Sequence, residues 1–198
     1  MRRKPPFADF TARDIARLTR LIRRMLRVHD QKAPNLLLLF EQLKRVFPKL
    51  RLRIVEDADM PGAEARAYPS YWIIKIRKGI FEGLLRGDAG ARWTLAHELG
   101  HVLLQHPGKP FRKRGADSNF VEEQAHSFAA QMLAPFDLIT GYRTAEEIAL
   151  AFQLSTEAAR RRLSESKQEL QSKKIGTKGT AIQDRGSVFG LEDLAATI

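Results

Sequence analysis

The sequence predicts an α+β protein in which a small mixed β-sheet packs against helices. Apolar residues recur at helical spacing through the first 48 residues, alternate with other residues in segments between 50 and 77, and return to helical spacing from residue 91 onward. The chain has 198 residues, 43% of them hydrophobic, which is enough for one core with extensions. We therefore expect helices before and after a short block of strands.

Two helices are predicted ahead of the strands. Thr11 and Asp14 resemble a capping box, and the helix that they open is expected to extend to about Val28. A second helix follows Pro34 and ends at Pro48. Residues 1–48 are therefore predicted to form a helical extension.

Strands and further helices follow in the rest of the chain. Segments 50–55, 63–68 and 71–77 have strand-like sequences. Helices are expected over about 91–105, 119–133, 144–152 and 156–170. The composition then turns to Lys, Gly, Thr, Ser and Gln, which predicts a flexible tail over 171–198.

Positive charge is concentrated at the start of the chain. Residues 1–53 contain 15 basic and 4 acidic residues and account for the whole net charge of +11. On the first predicted helix, the side opposite the apolar residues carries five arginines: Arg13, Arg17, Arg20, Arg24 and Arg27. This arginine stripe indicates an anionic partner, either DNA or an acidic protein surface, although a solvated helix face would have the same pattern.

Composition excludes several classes of protein. The chain has no cysteine, so disulfides, thiolate metal sites and cysteine nucleophiles are excluded, and His, Asp and Glu remain as strong metal ligands. The longest apolar run, residues 36–40, is too short to span a membrane. The basic start lacks the apolar stretch of a signal peptide, which predicts a cytoplasmic protein.

An HExxH motif lies in the helix predicted over residues 91–105. His97 and His101 are four residues apart and project from one face, so both imidazoles can bind one Zn²⁺ ion. Glu98 would then lie beside a metal-bound water and act as a general base. The motif predicts a zinc site with a catalytic carboxylate.

A catalytic zinc site needs a third protein ligand, and the next predicted helix offers candidates. Glu122 and His126 are four residues apart on one face, whereas Glu123 points about 100° away. We expect Glu122 to be the ligand and His126 to hold a ligand in place, with Glu123 as the competing candidate.

The sequence gives less support for a functional role of the remaining histidines and of two tyrosines. His106 and His29 each follow a predicted helix end, where imidazoles commonly cap carbonyls, so neither is assigned a catalytic role. Tyr71, Tyr142 or His126 could stabilise an oxyanion, and spacing does not choose among them.

The segments 91–101 and 122–135 resemble the ImmA/IrrE metallopeptidase family. The second segment follows the family pattern ExxAN-x-F-A-A-x-L-L-x-P, except that His126 stands where the family usually has Asn. The resemblance extends from about Leu50 to Leu163 and implies a gluzincin-like core, with His97, His101 and Glu122 on one zinc ion per chain. It also implies a helix-turn-helix-like pair over residues 141–170 and a peptidase domain over 49–140.

The implied activity is cleavage of a protein substrate, a helix-turn-helix transcriptional repressor, which would derepress prophage, mobile-element or stress genes. The arginine stripe adds DNA contact as a further expectation. The alternative is a non-catalytic regulatory protein that keeps the zinc-peptidase fold and binds DNA or a repressor.

Overall fold

The computed structural model of the chain describes residues 10–107 and 116–176. These residues contain three strands: β1 (Arg51–Val55), β2 (Ala65–Tyr68) and β3 (Ile73–Arg77). They also contain eight α-helices: α1 (Ala12–Met25), α2 (Leu36–Val46), α3 (Lys78–Arg86), α4 (Ala89–Leu103), α5 (Ala116–Leu133), α6 (Phe136–Ile139), α7 (Ala145–Phe152) and α8 (Thr156–Gly176).

The three strands form one mixed sheet in the order β1-β3-β2. β1 runs parallel to β3, with Arg51 opposite Ile73, and β2 runs antiparallel to β3, with Ala65 opposite Ile76. The predicted α+β architecture with a small mixed sheet is confirmed. β2 is an edge strand, and the Ala67 N–H on its unpaired side donates to Glu98 of α4.

Helix α4 lies at the centre of the packing. It contacts β2, β3 and α5, and its Leu95 and Leu99 belong to the same buried core as Phe128 of α5. Helix α1 packs against α5, with Ile15 and Ile22 buried in that core. The apolar side of α1 therefore contributes to the core that supports α4 and α5.

The first helix is shorter than the sequence predicts. α1 ends at Met25, because Arg27 adopts a left-handed backbone conformation with φ 55° and the Val28 N–H donates to the Arg23 carbonyl. This is a Schellman turn, which reverses the chain at a helix end. The predicted capping box of Thr11 and Asp14 is present.

Two helical segments lie where the sequence analysis did not expect them. α3 has no side-chain cap and contains Gly79 and Gly83, so neither a start signal nor high helix propensity marks it. α8 continues to Gly176, so the flexible tail expected from residue 171 is wrong for residues 171–176. Residues 177–198 of that tail lie outside the described residues, and the division into four segments stays a prediction.

In the described parts of the chain, no helix combines the length and apolar character needed to cross a bilayer.

Candidate metal centre

The HExxH residues lie on α4, where the helix faces both β2 and α5. α4 begins after Asp88, whose carboxylate caps the Ala91 N–H at 2.7 Å. His97 and His101 project from the same face, and their Nε2 atoms are 3.1 Å apart. His101 is buried, whereas His97 is partly exposed. The two imidazoles thus meet at one point, as the i, i+4 spacing predicts.

Helix α5 brings a carboxylate to the same point. Glu122 Oε2 lies 3.2 Å from His97 Nε2 and 3.5 Å from His101 Nε2. Glu123 is exposed on the next position of the helix. In the described parts of the chain, His97, His101 and Glu122 are the three residues whose potential ligand atoms converge closely enough to hold a metal ion.

The donor set fits zinc. At zinc–donor distances of about 2.0–2.1 Å, two donors of a tetrahedral site are about 3.3 Å apart, which is close to the three separations between these side chains. Burial lowers the pKa of His101, opposed by its hydrogen bond to Glu122, so the neutral imidazole that metals require is favoured. Two imidazoles and one carboxylate are ligands that zinc accepts, and three protein ligands leave a fourth position for water.

Glu98 follows His97 on α4, and its carboxylate contacts β2 rather than joining the three converging donors. One of its carboxylate oxygens accepts a hydrogen bond from the Ala67 N–H of that strand. Glu98 lines an open cavity of about 340 Å³ together with His97, Glu122 and His126. The carboxylate is therefore beside the candidate metal site without contributing a ligand atom to it.

Comparison with known proteins identifies the family. The Peptidase_M78 model, described as the IrrE N-terminal-like domain, matches residues 62–164. The chain belongs to this peptidase family. The resemblance that the sequence analysis drew from the HExxH and Glu122 segments is thus confirmed. Both segments lie inside the matched IrrE N-terminal-like domain.

A search of solved structures gives a likeness in fold. A Mycobacterium tuberculosis transcriptional regulator is similar with a TM-score of 0.50 and 17% sequence identity. The similarity covers 81% of this chain and 52% of that one, so this chain spans about half the length of the regulator. Among curated proteins, a sequence search found no match.

His126 of the IrrE N-terminal-like domain packs its ring against the ring of His97. The two ring centroids are 4.6 Å apart, and the Trp93 ring lies 6.0 Å away on another side. Within the described residues, no hydrogen bond joins His126 to Glu98 or to the three candidate ligands. Burial, and then the charges of His97 and Arg161, lowers the pKa of His126. Its predicted role in holding a ligand stays a prediction, based now on ring packing.

The two tyrosines considered as oxyanion stabilisers do not line the cavity of Glu98. Tyr71 is 73% exposed at the turn between β2 and β3, and the Tyr142 ring packs edge-on against Phe152. Of the three candidates, His126 is the one in the cavity.

Two residues behind the metal centre, His106 and Gln124, were not predicted from the sequence. His106 was interpreted as a residue that caps carbonyls at a helix end, but its Nδ1 atom is 2.8 Å from His101 Nδ1. Its Nε2 atom is 2.9 Å from the amide oxygen of Gln124 on α5. Pro107 indicated only that the helix ends nearby, whereas the contact with His101 depends on the left-handed turn at Gln105.

The arginine stripe lies outside the candidate metal centre. All five arginines are exposed, and four of them lie on α1, with Arg27 just beyond its end. Within the described residues, Arg20 forms an exposed ion pair with Asp137 at 3.8 Å. Arg13, Arg17 and Arg20 line a groove between α1, α6 and α8 of about 480 Å³. The stripe is thus a separate, solvent-facing surface.

Proposed function

We propose that this protein is a zinc-dependent endopeptidase that cleaves a transcriptional repressor. The observation that carries the proposal is the convergence of His97, His101 and Glu122 within 3.5 Å, with the Glu98 carboxylate in the adjacent cavity. Three ligands and a separate carboxylate are the parts that metal-assisted amide hydrolysis needs.

A substrate segment would bind along the free side of β2. The Arg77 N–H donates to the Glu64 carbonyl, so alternate residues of β2 pair with β3, and the backbone of Ala65 and Ala67 faces outward. The hydrogen bond from Ala67 to Glu98 follows from that orientation. Because Glu98 holds the Ala67 N–H, an extended peptide at this edge would pair with the Ala65 backbone and the Ala67 carbonyl, beside the cavity of Glu98.

Glu98 is the proposed general base. A zinc ion on the three ligands would act as a Lewis acid toward water and the scissile carbonyl. Glu98 accepts a proton as water adds to the carbonyl carbon, and it returns that proton to the leaving amine nitrogen as the C–N bond breaks. The Ala67 N–H fixes the carboxylate in the orientation that this transfer uses.

Two observations support a repressor as the substrate. The similar M. tuberculosis structure is a transcriptional regulator, and the ImmA/IrrE resemblance implies repressor cleavage. In addition, α7 and α8 are joined by three residues with a left-handed turn at Gln153, as in helix-turn-helix pairs. A shared regulatory context favours a DNA-binding protein as the partner.

The test uses purified full-length protein, zinc and a helix-turn-helix repressor encoded next to its gene. We expect cleavage at one site, measured by mass spectrometry of the products, and loss of cleavage with a chelator. Glu98→Gln keeps the side-chain size but removes the base, so it should lower the rate by about 10²–10⁴-fold at unchanged zinc content. Glu123→Gln, at an exposed position on α5, is the control.

Two outcomes would contradict the proposal. Cleavage by Glu98→Gln at the parental rate would remove Glu98 from the mechanism. Binding of the repressor by zinc-loaded protein without any cleavage would favour the alternative, in which the peptidase fold serves as a regulatory binding module.

A further inference from the structure

A chain of hydrogen bonds leads from the start of α1 to the candidate ligand His101. α4 ends in a Schellman turn: Gln105 has φ 51°, and the His106 N–H donates to the His101 carbonyl at 3.0 Å. This turn brings the His106 ring back to His101. Gln124 of α5 then joins His106 to the backbone carbonyl of Phe10, which lies 2.8 Å from the Gln124 amide nitrogen.

The Phe10 carbonyl determines which atom donates in each hydrogen bond of the series from Phe10 through Gln124 and His106 to His101. A backbone carbonyl can only accept, so the Gln124 NH₂ group faces Phe10 and its amide oxygen faces His106. That oxygen accepts from His106 Nε2–H, which leaves His106 Nδ1 without a proton in the neutral ring. His106 Nδ1 must therefore accept from His101 Nδ1–H, and the remaining lone pair of His101 is on Nε2.

That lone pair is on the atom that faces the other ligands, because His101 Nε2 lies 3.1 Å from His97 Nε2 and 3.5 Å from Glu122 Oε2. His101, His106 and Gln124 are each at most 3% exposed, so water cannot easily replace a missing partner. The hydrogen bonds of His106 and Gln124 therefore favour the His101 tautomer whose Nε2 atom can bind a metal.

We infer that His106 and Gln124 are positioning residues of the metal centre. Together they connect the Phe10 carbonyl to His101 and hold the His101 ring with its Nε2 lone pair toward the metal. The inference rests on the proposed zinc centre, and it makes zinc affinity depend on the docking of α1 against α5. Partners of this kind typically change metal affinity 10–100-fold when they are removed.

The experiment compares zinc affinities of full-length proteins by competition with a chromophoric chelator. Asn and Leu have the same branching, but only Asn can place an acceptor oxygen near the position of His106 Nδ1. We expect His106→Leu to weaken zinc binding at least tenfold and His106→Asn to retain it within about threefold. Gln124→Met should weaken binding less, and the double variant His106→Leu/Gln124→Met should be no weaker than His106→Leu, because both act along one chain.

Nitrogen-15 NMR of the zinc-loaded parental protein gives an independent readout. We expect His101 to carry its proton on Nδ1 and His106 on Nε2. This measurement needs no variant, so it tests the inference even if His106→Leu does not fold.

Three results would overturn the inference: parental zinc affinity in His106→Leu, equal losses in His106→Asn and His106→Leu, or a proton on Nδ1 of His106. Zinc binding by the parental protein in these cases would leave the proposed function standing. Absence of zinc binding by the parental protein would instead overturn the proposed function, and the inference with it.

Discussion

A Cβ atom built on Gly100 of α4 would lie 3.0 Å from the Cβ atom of Phe128 on α5. This separation is tighter than most real Cβ contacts, so a side chain at position 100 would require Phe128 to shift by a few tenths of an ångström. Gly100 stands inside the HExxH motif, directly before His101, and Phe128 lies six residues after Glu122. The contact therefore joins the helix that carries both histidines to the helix that carries the carboxylate, at a point where the two backbones are close.

Gly100→Ala is expected to impair both stability and zinc binding. The added methyl group meets Phe128, and overpacking of this kind costs about 1–3 kcal/mol in the free energy of unfolding. A small separation of α4 from α5 also moves Glu122 away from the histidines. Denaturant unfolding and chelator competition measure the two effects. Gly141→Ala is the control, since a Cβ there has no neighbour within 4 Å, and equal behaviour of the two variants would contradict the argument.

Helical geometry alone predicts the local part of the candidate site, whereas Glu122 was predicted from the motif on the next helix and the family resemblance, and His106 was not predicted. His97 and His101 are one helical turn apart, so helical geometry alone brings them together. The position of Glu122 depends on how closely two helices cross, which residue spacing does not give. His106 was missed because its contact with His101 depends on a left-handed residue at the helix end, a feature that Gln105 does not signal.

The choice between Glu122 and Glu123 as third ligand can be tested directly. Glu122→Ala removes one of three ligands, so zinc occupancy of the purified protein should fall well below one per chain. Glu123→Ala should keep parental occupancy, because Glu123 is exposed. Metal analysis after dialysis against metal-free buffer gives the result. Loss of zinc in the Glu123→Ala variant alone would show that Glu123, and not Glu122, is the third ligand.

The fold was predictable where local signals were strong. Capping boxes at Thr11 and Thr144 mark real helix starts, and alternation marks the strands. Burial of arginine was harder to predict, because a hydropathy scale assigns every arginine to the surface. Within the described residues, the buried arginines are Arg23, Arg92 and Arg162, and each donates to a backbone carbonyl. Arg23 follows Ile22 directly, on the apolar side of α1, and only tertiary structure supplies its partners.

Arg23 should be important for stability even though its neighbour Arg24 is not. The Arg23 guanidinium donates to the Met132 carbonyl at 2.6 Å and to the Gln31 carbonyl, and burial lowers its pKa to about 10. Arg23→Met keeps an apolar stem but leaves both carbonyls unpaired, which should cost about 2–4 kcal/mol. Arg24→Met, at an exposed position, should change stability by less than about 0.5 kcal/mol. Urea unfolding of the two variants decides, and equal midpoints would refute the prediction.

The arginine stripe leads to a prediction about DNA. A truncation that removes α1 would be uninformative, because Ile15, Leu18 and Ile22 are buried in the core. Substitution of the five arginines by Gln leaves that core intact. If the stripe binds phosphates, these substitutions should abolish binding to a duplex of random sequence at low salt and flatten the salt dependence, since each phosphate contact contributes about −0.9 to the slope of log Kobs against log[salt]. Fluorescence anisotropy of a labelled duplex measures both quantities.

A charge-matched variant separates the stripe from a general effect of net charge. Its five substitutions to Gln are at exposed basic residues away from the groove that the stripe lines: Lys49, Arg53, Arg86, Arg143 and Arg160. This variant has the same net charge as the stripe variant. If the charge-matched variant binds DNA and the stripe variant does not, the binding site is the stripe. Equal losses in both variants would make the effect one of net charge. If the stripe variant still bound DNA but no longer cleaved the repressor, the anionic partner would be an acidic surface of the substrate.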